Sequence, residues 1–242
     1  MRLTLLHARV MTLELVRYPA YVVPTIVLPT VFFIFFAFPG ARNDSTVRMA
    51  TFAGFAAIGV AFFQFGVGIA AERSSSWETF LRTLPIGPGV RLASRLVSAA
   101  LFAAMAAGLL LAVASATTPV SLSAVRWLGL GSALLAGTVP FALLGIALGY
   151  WVPARGALPV ANLLYLGLSY AGGLWMPPSR LPGIAAGVSQ FLPTRALADA
   201  LIATVAGAGI DWGAWGTLGG FACLFAGLAA WGYRRDEGRR YR

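Results

Sequence analysis

Lysine is absent from this chain of 242 residues; all eighteen basic side chains are arginine. That excludes a Schiff-base lysine and the lysine of a Gly-x-x-x-x-Gly-Lys phosphate loop, so the chain cannot hydrolyse ATP by that route. A single cysteine, Cys223, and a single histidine, His7, exclude a disulfide framework and a Cys/His metal cage. The eight carboxylates are scattered and show no metal-ligand spacing. A lipid-headgroup transferase would carry an acidic metal cluster at one membrane face, and nucleophilic catalysis would need a base beside its nucleophile. Neither pattern is present, and no catalytic site is legible. Charge itself is scarce: 11% of residues are charged, against about a quarter in a soluble domain.

What fills the space is apolar, at 59% of the chain. A helix needs roughly 20 mostly apolar residues to cross a hydrocarbon core about 30 Å thick. Six runs meet that length, at about 20–38, 51–71, 92–114, 125–151, 157–175 and 212–233. The loops between them are too short for a second globular domain. The expected fold is therefore an all-α integral membrane protein with one transmembrane domain over 1–242. The first run exceeds the length of a signal-peptide core and no small-x-small cleavage pattern follows, so it reads as a retained helix. Thirteen arginines flank one side of these runs and five the other. The positive-inside bias puts both termini in the cytoplasm.

Several segments carry more detail. Residues 1–18, with Arg2, Arg9 and Arg17, read as a cytoplasmic interfacial helix or as a positive leader orienting the first span. Pro24 and Pro29 predict a kink in that span, whose phenylalanines face either lipid or a path for apolar substrates. Glycines four apart, Gly145/Gly149 and Gly216/Gly220, predict close helix packing within the bundle. Deep polar residues are few: Gln64, Asn162, Tyr165 and Ser169, with no carboxylate or arginine near a span centre. Ion-driven transporters usually keep an ionisable group there, so that class is disfavoured.

Between spans five and six, residues 176–211 are too apolar for a solvated loop and too short in each piece to cross. Short re-entrant helices in the outer leaflet, or a compact external cap, fit that pattern. On the other side, residues 72–91 contain serines suited to capping, Glu78 in a first turn, and Pro85 as a stop. A short helix over about 76–84 would set Trp77, Phe80, Leu81 and Leu84 at helical spacing. Such a helix lies on the membrane or docks in a groove of another protein. The basic tail, 234–242, serves orientation or grips anionic lipid. Nucleic-acid binding is not expected.

Two stretches carry a family resemblance. Glu72 to Pro85 matches in spacing a loop that reads Glu-Arg-Glu-Arg-Gly-Thr-Leu-Glu-x-Leu-Leu-x-x-Pro, with Ser76-Trp77 where Gly-Thr is usual. Ser94-Arg95 stands where Gly-Lys often begins the third span. Ala171-Gly172-Gly173-Leu174-Trp175-Met176-Pro177, then Leu181-Pro182 and Phe191-Leu192-Pro193, is similar to a small-Gly-aromatic-Pro, Leu-Pro, Leu-Pro run. In this order and topology, over nearly the whole chain, they resemble the ABC transporter permeases of the type-2 exporter family. That family includes drug, antibiotic and lipid-linked polysaccharide exporters.

The resemblance implies two permeases, identical or homologous, face to face above two separate ATP-binding subunits. Those subunits would bind ATP and Mg; this chain would hold no cofactor. The coupling helix would be formed around Ser76, Trp77, Glu78, Phe80, Leu81 and Arg82, ending at Pro85. Candidate residues along the path are Phe32, Phe36, Phe62, Gln64, Asn162, Tyr165 and Ser169. The substrate class would be hydrophobic or amphipathic, a drug, lipid or lipid-linked molecule. An alternative is a membrane assembly or sensor protein without a path. The lysine-free, Arg/Ala/Gly-rich composition suggests a GC-rich genome and hence a bacterial or archaeal plasma membrane.

Overall fold

The computed structural model describes residues 2–37, 41–73, 75, 88–177 and 180–240. Helices make up the fold, and no strand occurs among the described residues. In chain order they are α1 (Arg2–Val16), α2 (residues 19–37), α3 (residues 41–73), α4 (Pro88–Thr117), α5 (Ala124–Trp151) and α6 (Ala154–Ala171). Two short helices, α7 (Gly183–Ser189) and α8 (Pro193–Ala206), precede α9 (Trp212–Arg240).

Among the described residues, four segments are long and apolar enough to cross a membrane: Asp44–Arg73, Ala93–Thr117, Ala124–Trp151 and Trp212–Asp236. They fall on the second, third, fourth and sixth expected runs. The first run is the broken helix α2, whose apolar part is Val23–Ala37. The fifth is α6, an 18-residue helix in which Arg155, Pro159 and Asn162 dilute the apolar character. It ends at Ala171 rather than at Trp175, because Gly173 takes the left-handed conformation (φ 81°) that a side chain disfavours. The Leu174 N–H then donates back to the Ser169 carbonyl at 3.0 Å.

Helix α2 shows what its prolines do. Each proline lacks an N–H and crowds the preceding turn, so the regular ladder cannot continue through it. The helix alternates between α geometry at Pro19–Val22 and Leu28–Phe32 and the wider π geometry at Val23–Val27 and Phe33–Ala37. Helix α3 has a similar insertion at Phe62–Val67, without a proline.

Helix α3 is the axis of the fold. It touches α2, α4, α5, α6 and α8, and 78% of its most apolar stretch is buried. The Gly145/Gly149 pair explains the contact with α5. A Cβ on Gly145 would stand 2.7 Å from the Ala61 carbonyl oxygen, and one on Gly149 2.7 Å from Ile69 Cβ. Only hydrogen fits there, as the spacing predicts. The Gly216/Gly220 pair of α9 behaves otherwise, since a Cβ at either position meets nothing within 4 Å. Its expected packing within the bundle is therefore not made among the described residues.

The segment between α6 and α9 holds helices of 7 and 14 residues, each too short to cross a bilayer. Helix α8 packs on α3, α5 and α9. Thr194 Oγ1 donates to the Leu168 carbonyl at 2.7 Å, and the Arg195 Nε donates to Asp199 at 2.8 Å. Asp211 caps α9 by accepting from the Ala214 N–H at 3.0 Å. At the opposite end α1 lies along α4, with Thr12 Oγ1 and Ser98 Oγ 3.1 Å apart.

Candidate functional site

Rings from α2, α3, α6 and the turn after α6 converge on one cluster. Phe55 lies one turn before Gly59 and nearly two before Phe62 on α3, so the three share a face. Tyr165 of α6 stacks on Phe55 with centroids 4.5 Å apart and planes 5° from parallel. It also meets Phe62 at 6.3 Å and Phe63 at 5.7 Å. A Cβ on Gly59 would stand 2.8 Å from the Tyr165 hydroxyl oxygen, so the glycine makes room for the phenol. Phe32 joins from α2 at 5.6 Å from Phe55, and Trp175 closes the group at 5.3 Å from Phe32 and 5.4 Å from Phe55. Phe36 stacks on Trp175 at 6.0 Å and is 55% exposed, so the cluster reaches the surface there.

Polar atoms without partners lie on the same elements. Ser169 Oγ, Trp175 Nε1, Thr30 Oγ1 and both amide atoms of Gln64 are buried and make no hydrogen bond. A buried polar group left unpaired costs about 1–3 kcal/mol, and native proteins keep few of them. Here they concentrate where α2, α3 and α6 meet. The cluster has π faces, a phenol, a hydroxyl and an indole, and the Gln64 amide lies beside Tyr21. It can hold an apolar or aromatic molecule and satisfy a few of its polar atoms.

Below the rings, toward the end of α3, the polar residues become charged. The Tyr21 hydroxyl faces Gln64 and Thr25 without closing a hydrogen bond of full geometry. Arg95 donates from Nη1 to the Gln64 carbonyl at 3.1 Å and forms an ion pair with Glu72. That carbonyl belongs to the π segment of α3, where the backbone ladder is re-spaced. Arg73 donates to the Gly149 carbonyl at 2.9 Å and to the Tyr150 carbonyl, and lies 3.3 Å from Asp236. Its guanidinium sits over the Tyr150 ring. Two arginines thus tie the end of α3 to α4, α5 and α9.

Of the sequence-predicted path residues, Phe32, Phe36, Phe62 and Tyr165 are brought together. Ser169 is buried one turn beyond Tyr165, and Gln64 lies buried just past Phe62. Asn162, one turn before Tyr165, is half-buried and takes no part in the ring contacts. Phe55, Phe63 and Trp175 were not anticipated there, although the Phe55/Phe62 spacing marks one helix face. Arg95, expected near the start of the third span, is a buried residue of α4 at 7% exposure. The predicted coupling residues Ser76, Trp77, Glu78, Phe80, Leu81, Arg82 and Pro85 lie outside the described residues.

Long apolar helices wrapped around a central one, with an aromatic cluster buried between them, define an all-helical membrane protein. Similarity to known proteins adds a class. A protein of Bacillus subtilis (strain 168) named "Putative transport permease YvfS" is 23% identical over 230 residues, covering 93% of this chain and 94% of its own length. No family model matches the chain. No solved structure matches it either.

Proposed function

We propose that this chain is the membrane-spanning subunit of an ATP-driven exporter of the type-2 ABC permease kind, moving a hydrophobic or amphipathic substrate. The observation that carries the reading is end-to-end similarity to a protein named as a transport permease. The aromatic cluster with its unpaired polar atoms supports it, because such a surface suits a greasy molecule with few polar groups. In this reading α2, α3, α4, α5, α6 and α9 are six spans with both ends in the cytoplasm. Helix α1 lies at the inner interface, and α7 and α8 dip into the outer leaflet. A bacterial or archaeal plasma membrane is the setting.

With no lysine, the chain depends on another for the phosphate loop. Two ATP-binding subunits supply it, together with ATP and Mg. A second permease, identical or homologous, faces the first across the exposed side of Phe36. Coupling runs through residues 76–84, where Trp77, Phe80 and Leu81 provide apolar docking area and Glu78 and Arg82 set its register. Movement of that segment reaches the cluster through α3, whose end is held by Arg95 and Arg73.

The test is co-purification in gentle detergent with the products of neighbouring genes. A roughly stoichiometric ATPase of separate chain is the expected companion. Trp77→Ala or Leu81→Glu should release it or uncouple its ATP turnover from transport by about tenfold or more, since buried apolar anchors dominate such docking. Recovery of the chain without any ATPase, or unchanged transport by both variants, would overturn the proposal.

A further inference from the structure

An apolar concavity apart from the aromatic cluster lies on the side formed by α5, α6 and α9. It has a volume of about 370 Å³ and is lined by Leu148, Val160, Leu164, Leu228 and Trp231, with Trp151 at its rim. That volume lies in the range of small-ligand sites. Its walls offer almost no polar surface, so no water or polar solute has a partner inside. The rim is different. Trp151 donates from Nε1 to the Leu228 carbonyl at 3.1 Å and meets Trp231 edge-on at 4.6 Å. Tyr150 and Tyr233 pair alongside at 5.5 Å. Paired tryptophans and tyrosines at the ends of apolar helices mark the headgroup level of a bilayer.

One cation tops this rim. The Arg235 guanidinium lies 5.1 Å from the centre of the Trp151 ring. On α9, Leu228, Trp231 and Arg235 follow at i, i+3 and i+7, so one face runs from apolar to cationic. The neighbouring acid, Asp236, is engaged by Arg73, and Arg235 pairs with no carboxylate among the described residues. An apolar slot in the hydrocarbon, with a guanidinium at headgroup depth that meets no carboxylate among the described side chains, has the polarity of an anionic phospholipid. We infer that the groove between α5, α6 and α9 holds one resident anionic phospholipid, an acyl chain against Leu164 and Leu228 and its phosphate on Arg235. The inference rests on the reading of α5 and α9 as membrane spans.

Native mass spectrometry of the full chain, delipidated and then exposed to dioleoyl phosphatidylglycerol or dioleoyl phosphatidylcholine, tests it. Wild type should retain one phosphatidylglycerol per chain, roughly tenfold better than phosphatidylcholine. Arg235→Gln should abolish that preference. Leu164→Trp, or the smaller change Val160→Phe should the first variant fail to fold, should lose both lipids. Arg155→Gln is the control, because Arg155 sits about 140–180° around α6 from Val160 and Leu164. Equal retention of both lipids by wild type would overturn the site, as would an Arg155→Gln effect equal to that of Arg235→Gln. A second copy of the chain retained in place of lipid, and lost with Leu164→Trp, would overturn it as well. Labelling of Arg155→Cys in a Cys223→Ser background, from either side of sealed vesicles, tests the spanning topology separately. Outside labelling with intact lipid preference would remove the orientation and leave the site.

Discussion

Helices α3 and α9 are similar in sequence style and opposite in use. Both are long, apolar and rich in glycine and phenylalanine, yet 78% of the most apolar stretch of α3 is buried against 22% for α9. In water such helices would compete for the core on hydrophobicity. In a bilayer the lipid is as apolar as a leucine, so hydrophobicity cannot choose between them. What separates them is shape. The contact of α3 with α5 depends on Gly145 and Gly149, where only hydrogen fits. The glycines of α9 at Gly216, Gly219, Gly220 and Gly227 face open space. The lesson is that in this fold packing follows close approach rather than apolarity.

The widest break in that comparison should come from a paired substitution. Gly149→Leu forces a side chain where Ile69 Cβ and the Phe65 carbonyl already stand within 2.8 Å of a Cβ. It should cost about 3 kcal/mol or abolish folded protein. Gly216→Leu, with nothing within 4 Å, should change stability by under about 0.5 kcal/mol. Unfolding in detergent by thermal scanning reads both, and equal effects would erase the distinction between the helices. A smaller loss is expected from Arg95→Ala, which strips the Gln64 carbonyl and Glu72 of a charged donor. Because the Glu72 side chain is half-exposed, the expected cost is about 2 kcal/mol. An unchanged midpoint would mean that the arginine merely rests in place.

The smallest effect has the opposite sign. Gln64→Leu removes two buried amide atoms that have no hydrogen bonds and should stabilise the chain by about 1 kcal/mol. If those atoms serve a passing substrate, the more stable variant should transport more slowly. Faster or equal transport would detach Gln64 from the path, whereas a stability loss would show that the amide has partners after all.

The helix positions were legible because hydropathy is a local property: the run at 125–151 became Ala124–Trp151, and that at 212–233 fell inside α9. The two glycine pairs show where such reading stops. Identical spacing at Gly145/Gly149 and Gly216/Gly220 gave a tight contact and an open face, since the partner surface is not in the pattern. Arg95 is the same lesson in electrostatics. Its burial follows from Glu72 and from a carbonyl in a π turn, neither visible in a hydropathy run. At the candidate site, Phe32, Phe36, Phe62 and Tyr165 were legible from residue type and depth, whereas Phe55 and Phe63 were not singled out. Trp175 was missed because only the turn at Gly173 brings it back over Phe32.

The π turn at Phe62–Val67 also decides which edits of the chain α3 can absorb. A π turn is an α-helix carrying a surplus residue that the flanking turns do not feel. Deleting one residue within 62–67 therefore relaxes the turn to α geometry and leaves Glu72 and Arg73 facing Arg95 and Asp236. The same deletion anywhere from 56 to 60 rotates one half of the helix against the other by about 100°. That would part the Phe55 face from the end that Arg73 anchors. Length variation in this helix has one address, and it lies between the ring cluster and the two arginines.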